Sequence, residues 1–206
     1  MTTTVRDLAA LDPAGWTAAT SHPFLDGAAD GSLPAAAFDR WLEQDRLFVE
    51  TLTRAWGLLL VDAPTDDLAL ISDGIAAFVA EVEWFEELGT ERALAIPAEA
   101  LAATEAYNAH LLHAAGRPHP VGLSAMWAVE ATYLEAWRSA LPGAPAYRPF
   151  VEHWTDAAFA AFVARLETAA DRSLAEASAA EVDAARQVIA LTVGHEATFW
   201  AMTFTG

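Results

Sequence analysis

Four carboxylates, Asp45, Glu81, Glu130 and Glu196, fall at positions where helical periodicity places apolar side chains, each in a different segment of the chain. The clearest case is the segment holding Phe38, Trp41, Leu42, Phe48, Val49 and Leu52 at helical spacing, with Asp45 between Trp41 and Phe48 on the same stripe. Glu81 lies between Phe78 and Phe85. Glu130 shares a face with Met126, Tyr133 and Trp137, and Glu196 one with Thr192, Val193, Phe199 and Trp200. A carboxylate taken out of water loses far more free energy than a packing contact returns unless something pairs with it. Inward acids on four helices therefore point to a polar pocket, where burial displaces pKa values and suits carboxyl groups to general acid and base work.

Taken singly, each acid has an ordinary alternative. A narrower stripe leaves it on a flank, solvated or paired with an Arg, and this applies most to Glu81, whose neighbour Glu83 is a clear solvent candidate. Four inward acids also raise a dinuclear metal bundle, which draws Glu-x-x-His pairs from two of its helices. The positions three residues after the acids hold Phe48, Trp84, Tyr133 and Phe199, so that pattern is missing. His110 and His113 share a face without an acid that completes a ligand set, and no metal ligand is assigned. No Gly-x-Ser-x-Gly elbow and no Gly-rich phosphate loop is present. What remains is a pocket of carboxylates and aromatics. Tyr107, Tyr133, Trp154 and Phe199 are candidates to stack on a flat ring whose amino group donates to the acids; a protonated heteroaromatic or an aminopyrimidine suits such a site. Each aromatic alone is more ordinarily core.

The elements that must position these residues are helical nearly throughout, with no alternating strand of useful length. The pattern predicts helices near 4–20, 34–61, 66–88, 98–115, 121–140, 145–170 and 179–204, about seven in all. Breaks fall at 22–34, 62–67, 89–97, 116–120 and 141–149, where Gly, Pro and Asp cluster. Ser32 and Pro34 suit the start of one helix, and Asp66 and Asp67 the start of the next. The Ala-rich stretch 171–186 reads as a solvated turn and helix start. No connection is long enough to divide the chain and no repeat is present, so residues 1–206 are expected to form one all-α domain, an up-and-down bundle.

A chain of 206 residues that is 54% hydrophobic and 19% charged has ample material for a core. Its eight Trp are expected to line a pocket or an interface as well as the core. A net charge of −18, from 29 acids against 11 Lys and Arg, repels phosphate backbones, so no nucleic-acid partner is expected. The absence of cysteine removes disulfides, thiolate ligands and thiol nucleophiles. The opening residues lack the basic and apolar regions of a secretory signal, and the apolar runs are too short for a bilayer. The expectation is a cytoplasmic protein with no membrane partner.

The segment HPFLDGAADGSLPAAAFDRWLEQDRLFVETL at 22–52 resembles the N-terminal signature of the TenA family, the thiaminase II-like proteins. EATFWAM at 196–202 resembles that family's closing helix, and AMWAVEATYLEAW (125–137) and YRPFVEHWTDAAF (147–159) match in spacing and aromatic placement. The resemblance covers nearly the whole chain. It implies a fold like that of haem oxygenase, usually without haem, a homo-oligomer (dimer or tetramer, commonly the latter), and salvage of the pyrimidine half of thiamin by hydrolysis. It further implies that Asp45 holds the pyrimidine amine, that Glu196 binds a ring nitrogen and moves a proton, and that Phe199 and Tyr107 pack on the ring. Tyr133 and Trp154 fall where the family places active-site aromatics.

Two departures bear on the activity. Many members carry a cysteine nucleophile on the fifth helix, where this chain offers Glu130, as in a cysteine-less, Glu-bearing branch. Phe48 stands where cysteine-type members place a tyrosine. The Glu-bearing branch is associated with hydrolysis of aminomethyl or formylaminomethyl pyrimidine to hydroxymethyl pyrimidine, so the resemblance implies that function here, without a cofactor. One of Glu130 and Glu196 acts as general base and the other as acid, while Asp45 and the aromatics, with Glu81, hold the substrate. The alternatives are a non-catalytic small-molecule binder and a metal-dependent or cofactorless oxidase or oxygenase on the same fold. The family's link to gene regulation fits poorly with a net charge of −18.

Overall fold

Local capping sets the helix starts. Thr4 and Asp7 form a reciprocal capping box at the first helix, Asp156 accepts from the Phe159 N–H, and Ser178 and Glu181 form a second box. The computed structural model describes residues 3–204. Among these the chain forms ten α-helices and one 3-10 turn, with no strand: α1 (Val5–Ala9), α2 (Pro13–Thr20), α3 (Pro23–Asp30), α4 (Ala35–Val61), the turn Thr65–Asp67, α5 (Leu68–Arg92), α6 (Ala102–Ala115), α7 (His119–Ser139), α8 (Arg148–His153), α9 (Ala157–Glu176) and α10 (Ala179–Ala201).

The all-α class stands as expected, while the chain breaks more often than its periodicity indicates. The expected helix at 4–20 divides because Asp12 caps a new helix at Pro13. The expected break at 22–34 contains α3, started by the His22 ring and ended by Gly31 at φ 88°. The expected helix at 145–170 divides at Trp154, and α9 then continues to Glu176, through residues taken for a solvated turn. Asp67 precedes α5 without capping it, because its buried carboxylate instead binds His119 and Arg172.

The long helices form a closed circuit. α4 packs on α5 and α6, α6 and α10 on α7, α7 on α9, and α9 returns to α5. α7 is buried on every side from Val121 to Thr132, the signature of a central helix. The hub is aromatic: Trp41 lies flat against Trp200 at 5.4 Å, with Trp137 and Trp154 edge-on to it. Rings of this size bury about 150–250 Å² each, worth roughly 4–6 kcal/mol at about 25 cal/mol per Å². That packing offsets the cost of enclosing acids beside it. No helix among the described residues is long and apolar enough to cross a membrane.

Candidate active site

Inside the circuit of α4, α5, α7 and α9 lies a cavity of about 380 Å³, within the size range of small-molecule sites. α4 contributes Asp45, Phe48, Val49 and Leu52; α5 contributes Asp73, Ala77, Phe78 and Glu81; α7 contributes Val129, Glu130 and Tyr133. His153, Trp154 and Asp156 come from the end of α8 and the turn after it, and Ala158, Phe159, Phe162 and Arg165 from α9. Helix spacing makes this convergence a local consequence of sequence. Phe78 and Glu81, or Glu130 and Tyr133, are three residues apart and present one face.

The floor of the cavity is acidic and poorly compensated. Asp45 and Glu130 are 1% and 3% exposed, and Asp45 Oδ1 and Glu130 Oε1 have no hydrogen-bond partner. Tyr133 Oη–H donates to Asp45 Oδ2 at 3.0 Å. Burial pushes the Asp45 carboxyl well above its usual range; the Tyr133 bond opposes this, and the charges of Glu81, Glu196 and Glu130 reinforce it. Burial, with help from Glu196 and Glu81, pushes Glu130 up to about 8. Glu130 therefore holds its proton near neutral pH.

Glu81 is different. Trp154 Nε1–H donates to its Oε1 at 2.9 Å, and the His153 Nε2–H donates to its Oε2 at 2.9 Å and to Oε1 at 3.2 Å. The His153 ring lies on Trp84 with centroids 4.3 Å apart and planes 23° apart. Burial works against the imidazolium, but the bond and charge of Glu81, aided by Asp156, outweigh it and raise the His153 pKa. At the outer edge Arg165 pairs with Asp73 at 2.8 Å.

Of the residues singled out in the sequence, the structure brings Asp45, Phe48, Glu81, Glu130, Tyr133 and Trp154 to the cavity wall. Glu81 faces inward while Glu83 is exposed. Tyr107, Glu196 and Phe199 are not among the lining residues. They stand one layer behind, on α6 and α10, all buried. There Tyr107 Oη–H donates to Glu196 Oε2 at 2.8 Å, Glu196 Oε1 is without a partner, and Phe199 packs on Phe48 at 5.3 Å. Burial pushes Glu196 up to about 8 against the effect of the Tyr107 bond. His110 and His113 do not join the cavity, and among the described residues no three His, Asp or Glu side chains are placed to hold a metal ion. The residues that sequence reading missed are His153, Asp156, Asp73, Arg165 and the phenylalanines of α9. For His153, Asp156 and Phe159 a signal existed, their place in the segment 147–159 already picked out. For Asp73, Arg165 and Phe162 only the docking of α9 on α5 reveals a role.

The likeness to known proteins runs along the whole fold. A TenA homologue from Pyrococcus furiosus shares 26% identity at a TM-score of 0.91, covering 97% of this chain and 98% of that one. A protein of Silicibacter sp. TM1040 described as a TenA family transcription regulator gives a TM-score of 0.88 at 22% identity, covering 97% and 95%. At that identity the likeness concerns the fold. A Glycine max protein described as "Probable bifunctional TENA-E protein" is 26% identical over 200 residues, covering 91% of this chain and 87% of its own. The helices thus follow the haem-oxygenase-like arrangement of TenA proteins. The sequence model of the TENA/THI-4/PQQC family matches residues 9–206, a span that carries both the helix of Asp45 and the closing helix of Glu196, and the chain belongs to that family.

Proposed function

We propose that this protein is a hydrolase of thiamin-derived aminopyrimidines, converting aminomethyl or formylaminomethyl pyrimidine to hydroxymethyl pyrimidine. The observation that carries this reading is the pair of buried acceptor atoms, Asp45 Oδ1 and Glu130 Oε1, left without partners on the floor of an aromatic cavity. A flat ring with amino substituents supplies the missing donors, and Tyr133, Trp154 and Phe159 offer faces to stack on it. Asp45 orients the ring amine. Glu130, still protonated at neutral pH, delivers its proton to the departing nitrogen as the exocyclic carbon–nitrogen bond breaks and water forms the new carbon–oxygen bond. Burial is the main reason Glu130 keeps that proton, and Glu196, enclosed behind the floor, disfavours the Glu130 anion further once it is itself charged. The absence of cysteine removes the thiol nucleophile that cleavage of intact thiamin uses in the cysteine-type members.

A mass-spectrometric turnover assay on the two pyrimidines, with thiamin as control, tests this. Release of hydroxymethyl pyrimidine with thiamin untouched is expected. A folded protein that binds the pyrimidines and turns over none of them is a binder instead. A regulatory role on nucleic acid is not favoured, given the net charge of −18. Homo-oligomerisation and a cytoplasmic location belong to the same proposal and rest on the family resemblance.

A further inference from the structure

The acid–base scheme needs a second group at the cavity wall, and Glu196 stands behind that wall. Among the acids that line the cavity, only Glu81 has its charge met by donors on both oxygens, from Trp154 Nε1–H and from His153 Nε2–H. Asp45 and Glu130 each keep a buried oxygen with no partner. A carboxylate that receives charge-assisted bonds is held ionised, whereas a buried one without them is held as the acid. The cavity therefore sets a carboxylate with donors on both oxygens near its mouth apart from two on its floor that each keep a buried oxygen without a partner.

We infer that Glu81 is the general base of the hydrolysis and that His153, clamped between Glu81 and the face of Trp84, is its positioning residue. The inference rests on the proposed hydrolase reading and deepens it. Water loses a proton to the Glu81 carboxylate as its oxygen bonds the exocyclic carbon. The carbon–nitrogen bond breaks with its electron pair going to nitrogen, which takes the proton of Glu130. The products are the hydroxymethyl pyrimidine and ammonia or formamide. The enzyme is left with one proton moved from Glu130 to Glu81, and exchange with solvent restores both. His153 is suited to this position by its exposure: its side chain is 38% accessible while that of Glu81 is 19%, so the imidazolium reaches solvent and the carboxylate reaches the cavity. The other charged or titratable groups on the wall are Asp45 from α4, Asp73 from α5, Glu130 and Tyr133 from α7, Asp156 from the turn before α9, and Arg165 from α9. Arg165 is committed to Asp73, which leaves His153 as the cation bonded to Glu81.

The experiment compares wild type with Glu81→Gln, Glu81→Asp, His153→Gln and His153→Ala. Circular dichroism confirms folding, Trp-fluorescence titration with hydroxymethyl pyrimidine reports binding, and kcat and KM for the aminomethyl substrate are followed across pH. Glu81→Gln is expected to lose about 10²–10⁴-fold in kcat, the usual worth of a general base, with product affinity kept within a few-fold. Glu81→Asp retains part of the rate. His153→Gln keeps a donor and loses the charge, so kcat falls at low pH and the acidic limb of kcat/KM moves to higher pH, with KM nearly unchanged. His153→Ala moves it further. A role for His153 in packing alone would lower folded yield and leave the limb in place, and that result overturns the inference. So does a Glu81→Gln enzyme within threefold of wild type. If wild type itself turns over none of the pyrimidines, the hydrolase reading falls and this one falls with it; turnover by wild type that survives Glu81→Gln overturns the inference alone.

Discussion

Glu130→Gln should make the protein more stable in alkaline solution while abolishing its activity. Burial, with the charges of Glu196 and Glu81, raises Glu130 from 4.5 to about 8. Below pH 4.5 both folded and unfolded chains are protonated there, and the site costs nothing in linkage terms. Between pH 4.5 and 8 the unfolded chain releases the proton and the folded chain keeps it, so stability falls as pH rises and levels off above 8. At about 1.4 kcal/mol per unit, the displacement amounts to roughly 5 kcal/mol at the plateau. Gln has the shape of the protonated acid and no proton to lose, so the variant should match wild type near pH 4.5. Its advantage then grows by up to about 1.4 kcal/mol per pH unit to a ceiling of roughly 3–5 kcal/mol, since Glu196 relaxes in turn. The assay is urea unfolding at fixed protein concentration from pH 4.5 to 9, with the midpoint difference between the two proteins multiplied by their common m-value. A difference that stays flat across that window, or a variant less stable at pH 8 than wild type, refutes the assignment of Glu130 as a buried acid protonated at neutral pH.

Glu196→Gln removes the charge that helps hold the proton on Glu130, so the basic limb of kcat/KM should move to lower pH, read from the pH–rate profile. Tyr107→Phe deletes the hydroxyl that donates to Glu196 at 2.8 Å and should cost about 1.5–3 kcal/mol by urea unfolding, measured above pH 8 where the acceptor is charged. Ser178→Ala breaks the capping box of α10 and should cost about 1 kcal/mol with kcat unchanged, since the cap lies apart from the cavity. Gly74→Ala sets a methyl 3.0 Å from Trp56 Cζ3 and 3.1 Å from Phe162 Cζ. It should cost about 1–3 kcal/mol and raise KM, because Phe162 is part of the cavity wall.

Part of the lining of the candidate site was legible in the sequence. The inward placement of Asp45, Glu81 and Glu130 follows from helix periodicity, because residues three or four apart share a face whatever that face meets. The all-α class follows for the same reason, and the family resemblance followed from short segments such as 22–52 and 196–202. Helix number was less legible. Trp154 ends α8 and Asp156 starts α9 within a run whose apolar spacing continues across both, and periodicity records a face without recording where the backbone turns.

Tertiary structure alone decided which acids meet and in what state. Glu130 and Glu196 are alike in sequence context, each an acid among aromatics. Yet α7 and α4 meet α9 and α5 around the cavity, while α10 packs on the back of α7 against α6. One glutamate therefore lines the wall and the other lies behind it. His153 gives the same lesson from the opposite side: its partner Glu81 lies on another helix, 72 residues away in the chain. Side-chain direction is a local property fixed by helix geometry, so sequence determines it. Proton affinity and partnership depend on distances between helices and on exclusion of water, and those exist only once the helices have docked.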